Sequence, residues 1–76
     1  MSGELQDLML VLGIEAAAST KQLTSYWALQ QRHDDGLRWV DVAQFVTRSE
    51  GEDAHARVAA AAPDVDLRLV HVRRQH

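Results

Sequence analysis

The chain has 76 residues, of which 46% are hydrophobic, and it carries a formal net charge of −3. A chain this short is a single domain spanning 1–76, and it hides only about 60% of the surface its unfolded form exposes. Cysteine is absent, which excludes disulfides, thiolate nucleophiles and thiolate metal ligands.

Eleven of the hydrophobic residues are alanine, and the aromatic residues are Tyr26, Trp27, Trp39 and Phe45. That supplies one small core, for which help from a partner or from self-association is physically reasonable. Residues 1–36 carry five acids and two bases, and residues 37–76 carry six of each. Neither half is basic, so net charge supplies no general attraction to phosphate. Seven of the eight bases are arginine, and with frequent Ala, Val and Asp this composition suits a bacterial or phage gene. The run Leu8-Met9-Leu10-Val11-Leu12 is too short for a membrane span. It follows Glu4 and Asp7 rather than a basic region, so it does not read as a signal peptide. A cytoplasmic protein without a membrane segment is the expectation.

The first element is a helix between Ser2 and Gly13. Leu5, Leu8, Met9 and Leu12 fall on one helical face, Ser2 can cap the start, and Gly13 suits the residue just past the end. A second helix is expected from Ser19 to His33. Ser19 and Gln22 have capping-box spacing, Leu23, Tyr26 and Trp27 share a face, and Asp34-Asp35-Gly36 closes it as a turn.

Residues 37–47 fit a helical stripe through Trp39, Val42, Ala43 and Val46. They are also rich in the β-branched and aromatic residues that favour strands, and a strand is the preferred reading. Ser49 and Glu52 then form an S-x-x-E box for a third helix, which runs to Ala62 and stops at Pro63. Its small residues suit close packing on a sheet. Finally, Val65, Leu67 and Leu69 alternate with Asp66 and Arg68 as a strand, with Val70 and Val72 on the opposite face. Either that strand is bulged or its far end is covered on both sides.

The expected fold is therefore α+β in the order α-α-β-α-β: an N-terminal helical hairpin, then a β-α-β unit. Two strands leave two open edges, so pairing of a strand edge with a second copy, giving a homodimer, or with a partner protein is expected.

No residue pattern carries chemistry. His33, His55, His71 and His76 match no metal-ligand spacing. Adjacent Asp34 and Asp35 point apart, so they cannot face each other across a cleft as a carboxylate pair must. Glu50, Glu52 and Asp53 are accounted for by a helix N-terminus. No serine sits in a Gly-x-Ser-x-Gly elbow, and the glycines are scattered singly, without a phosphate loop. The expectation is no enzyme, no catalytic or metal-binding residue and no cofactor.

Three stretches resemble known families. Asp41-Val42-Ala43-Gln44 through Arg57-Val58 is similar to the start of a helix-turn-helix in bacterial repressors, implying a small DNA-binding regulator. Glu50, Glu52 and Asp53 would stand in its recognition helix, where they repel phosphate. Leu12-Gly13-Ile14, Ala18-Ser19, Leu23, Tyr26 and His33-Asp34-Asp35 resemble the first half of a J-domain, with Asp34 where that family has proline. Val42 to Ala60 is similar to half of a peptidoglycan-binding SPOR domain. The last two cover under half the chain and transfer no function.

The reading that remains is a small acidic protein-binding module, of accessory, adaptor or inhibitor type, with DNA-binding regulator as the alternative. Its partner-binding residues are expected among Arg38 and Trp39, the acids Asp34 and Asp35, and the strand residues Val70 and Val72. Nucleic acid is disfavoured as a partner by the charge balance.

Overall fold

The computed structural model describes residues 4–33 and 38–74. Five elements follow one another: α1 (Glu4–Val11), β1 (Ser25–Arg32), β2 (Trp39–Phe45), α2 (Arg48–Ala61) and β3 (Leu67–Arg73). The order is α-β-β-α-β, which corrects the expected α-α-β-α-β. The second helix and the helical hairpin it would complete are absent, and a strand stands in their place. The sheet has three strands in the order β2-β1-β3, with β1 antiparallel to both neighbours. The β-α-β segment is thus split, because β1 lies between its two strands.

The misreading of β1 has a physical cause. Tyr26, Ala28 and Leu29 are buried and Trp27 is half-buried, so the central strand is covered on both faces and loses the alternation that marks a half-exposed strand. Ala, Leu, Gln and Arg within it are also good helix formers, and tertiary pairing overrides that preference. The Ser19 hydroxyl accepts a bond from the Lys21 backbone N–H and so stabilises a local turn rather than a helix start.

Both helices cover one face of the sheet. Leu5 and Met9 of α1 and Ala54 and Val58 of α2 form one buried cluster with Leu29, Ala43 and Phe45. Val65, Leu67 and Leu69 pack against it. Gly51 lets α2 approach, since a Cβ there would lie 2.9 Å from Leu69 Cδ1 and 3.4 Å from Trp27 Cβ. The molecule measures 36 × 29 × 19 Å. Its short axis fits one helix layer of about 10 Å on one sheet.

α1 ends as Gly13 suggests. Gly13 has φ +71°, its N–H donates to Leu10 O, and Ile14 N–H donates to Met9 O, the paired bonds of a Schellman motif. Arg57 of α2 donates to the Leu12 carbonyl, tying the two helices together. α2 begins two residues earlier than the Ser49–Glu52 box implies. Thr47 is the N-cap, its Oγ1 accepting from Glu50 N–H at 3.2 Å and donating to Glu50 Oε1 at 2.9 Å.

Of the two readings of the last strand, a bulge or cover on both faces, the bulge is ruled out, and Val70 and Val72 are half-buried on the far face. β3 pairs with β1 in unbroken register from Leu67 to Arg73. The break is in β2, between the Leu29↔Ala43 and Gln30↔Asp41 pairs, where Val42 is the extra residue of a bulge.

Candidate functional site

Two adjoining surfaces are candidates for binding. One is the sheet face turned away from the helices. The other is the outer edge of β3.

Register defines the outer face. Directly opposed residues in antiparallel strands share a face, so Tyr26 and Val72, Ala28 with Gln44 and Val70, Gln30 with Asp41 and Arg68, and Arg32 with Trp39 lie together there. A polar chain crosses this face. Arg68 Nε donates to Gln30 Oε1 at 2.7 Å, and Gln30 Nε2 donates to Asp41 Oδ1 at 2.7 Å. Gln44 Nε2 reaches Asp41 Oδ2 at 3.2 Å, and Thr20 Oγ1 donates to Gln44 Oε1 at 2.6 Å. Buried Thr20 also accepts at its backbone carbonyl and its hydroxyl from Arg74. Two guanidinium groups rest on rings: Arg68 Cζ is 4.3 Å from the Trp39 centroid, and Arg74 Cζ is 5.0 Å from that of Tyr26. Such cation–π contacts hold long side chains in place.

The segment between α1 and β1 closes part of this face and one sheet edge. Ala17 N–H donates to Gln44 O on the outer side of β2 at 2.7 Å. With the bulge at Val42, this blunts β2 as a pairing edge.

β3 is not blunted in this way. Arg32 N–H donates to Asp66 O, and Arg74 N–H donates to Thr24 O, so the even-numbered residues of this stretch turn their backbone groups toward β1. By the alternation of an antiparallel ladder, Leu67, Leu69, His71 and Arg73 turn theirs outward. Among the described residues those outward groups have no hydrogen-bond partner. The strand contains no proline, and its register is unbroken. Toward the helix side, the exposed His71 ring stacks on Trp27 at 4.4 Å and 8°. Arg48 Cζ lies 5.8 Å from the same indole.

The structure brings three of the sequence-predicted site residues together. Trp39, Val70 and Val72 are all half-buried on the outer face. Arg38 is exposed just before β2, its carbonyl accepting from His33 N–H at 2.8 Å. Asp34 and Asp35 lie outside the described residues. Gln30, Asp41, Arg68 and Arg74 were missed. The alternation of Arg68, Val70, Val72 and Arg74 was the available signal, once the sheet partner in front of it was known to be a strand.

The acids near α2 are engaged locally. Glu50 completes the cap, Glu52 pairs with Arg48 at 2.6 Å, and Asp53 lies 3.6 Å from Arg57. Among the described residues, no three His, Asp or Glu side chains are grouped so as to hold a metal ion, and no helix is long and apolar enough to cross a membrane. Asp41 to Gln44 belong to β2, so the first helix of a helix-turn-helix does not form there. The J-domain-like stretch likewise carries β1 in place of a helix. Compared with family models, curated proteins and solved structures, the chain matches none.

Proposed function

We propose that this chain is a small non-enzymatic protein-binding module that takes up an extended segment of its partner along β3. One observation carries the reading. β3 is a regular seven-residue edge strand whose outward backbone groups have no partner among the described residues, whereas β2, the other edge, is bulged and bonded by Ala17. Strand addition draws affinity from main-chain hydrogen bonds and specificity from alternate side chains. Val70 and Val72 on the outer face of β3 extend the contact beyond the backbone. Such a module serves as an accessory, adaptor or inhibitor protein.

The test is a selection of random heptapeptides on the immobilised protein, followed by amide-resolved NMR of the winners. Support is slowed hydrogen exchange at Leu69 and His71 when the peptide is added. Peptides that bind only at the helices, or a selection that yields none, would overturn the reading.

A further inference from the structure

We infer, building on the strand-docking reading above, that the segment added to β3 is an amphipathic acidic strand: apolar on the face against Val70 and Val72, and carboxylate-bearing on the face beside Arg73. Charge complementarity and side-chain alternation lead there together.

From Leu67 to Arg74 the chain holds Arg68, Arg73, Arg74 and His71 and no acid. These groups stand on a molecule whose formal charge is −3, so the edge is a basic strip on an acidic protein. The three arginines are placed differently. Arg68 and Arg74 lean inward over Trp39 and Tyr26, away from the open edge. Arg73 is exposed on the helix side of the sheet, opposite Ser25, and has no ion-pair or hydrogen-bond partner among the described residues. Arg48, the guanidinium near the Trp27 ring on this side, is already paired with Glu52. An incoming carboxylate therefore meets, at Arg73, a guanidinium with no partner among the described residues.

The alternation fixes where the incoming side chains go. Residues facing Val70 and Val72 fall on the outer face and gain by being β-branched or otherwise apolar. Residues facing His71 and Arg73 fall on the other face, where the acid belongs. A second copy of β3 is the poorer occupant, since it would set two arginine-rich strands without acids side by side, and like charges across strands destabilise the pair.

The experiment titrates the 15N-labelled full chain with three blocked heptapeptides: alternating Val and Glu, alternating Val and Lys, and alternating Ser and Glu. Amide shifts and hydrogen exchange along β3 are read in each case, on the native chain and on Arg73→Glu. The Val/Glu peptide is expected to bind tightest, to slow exchange at Leu69, His71 and Arg73, and to lose about fivefold in affinity with Arg73→Glu. In that variant the Val/Lys peptide overtakes it. If Val/Glu and Val/Lys protect the edge equally in the native chain, strand docking stands and the acidic preference falls. If no peptide reaches the edge, both fall. If the edge amides of the free protein become protected as its own concentration rises, a second copy is the occupant and the acidic-partner inference is overturned. Should Arg73→Glu fail to fold, the comparison of the three peptides on the native chain still decides the question.

Discussion

At the start of α2, single hydrogen bonds decide between two overlapping signatures. Thr47-Arg48-Ser49-Glu50 and Ser49-Glu50-Gly51-Glu52 both spell a capping box, so the sequence is degenerate by two positions. The folded chain uses Thr47, whose hydroxyl both receives and gives a bond with Glu50. Thr47→Ala should therefore cost about 1 kcal/mol of stability in urea denaturation. Ser49→Ala, at an exposed position inside the first turn, should stay within about 0.5 kcal/mol of the native chain. The reverse ranking would place the cap at Ser49. Gly13 is the contrasting case, where a single residue was fully legible. Its φ of +71° suits glycine, so Gly13→Ala should cost about 1 kcal/mol even though nothing lies within 4 Å of the added Cβ.

The strands show where sequence patterning succeeds and where it fails. β3 was legible because one side of it meets the core and the other meets a partly open face, so its residues alternate. β1 was not legible, because Tyr26 and Ala28 on one face and Leu29 on the other are all buried. Without β1 the open face could not be assembled, although Trp39, Val70 and Val72 had each been singled out. A central strand erases its own signature, and the site built on its two neighbours goes with it. Native-state hydrogen exchange checks the arrangement directly. The Arg68, Val70 and Val72 amides face β1 and should exchange only through global opening, while Leu69 and His71 should exchange orders of magnitude faster. Uniform protection along β3 would mean that its outer edge is covered. Gly51 offers a second check at this scale. Gly51→Ala gains about 1 kcal/mol of helix propensity, set against a 2.9 Å approach to the movable end of Leu69, so it should be near neutral. Gly51→Val adds two further methyl groups in the same narrow gap beside Leu69 and Trp27 and should cost about 1–3 kcal/mol as overpacking.

For the molecule as a whole, the small core sets how stability and binding are linked. Among the described residues, the buried hydrophobics are Leu5, Met9, Tyr26, Leu29, Phe45 and Val58, with alanine at 28, 43 and 54. A core of this size supplies only about 3–5 kcal/mol of net stability. Leu29 is fully buried at the centre of the sheet, between Ala43 and Leu69 in register. Leu29→Ala should cost about 2–5 kcal/mol, enough to leave much of the population unfolded at 25 °C by circular dichroism. Neither neighbour in register can fill the cavity cheaply, because Ala43 is small and Leu69 is already in contact with α2 through Gly51. A strand added to β3 binds only the folded form, so it stabilises by mass action, about 2.7 kcal/mol at one hundred times its dissociation constant. A partly unfolded Leu29→Ala chain should therefore regain structure when a β3-binding peptide is added in that excess. The same peptide should raise the melting temperature of the native chain. Recovery of the circular-dichroism signal would tie occupancy of the edge to completion of the sheet. A peptide that binds the native chain but leaves the variant unfolded would mean that the contact lies on an element that survives without the core.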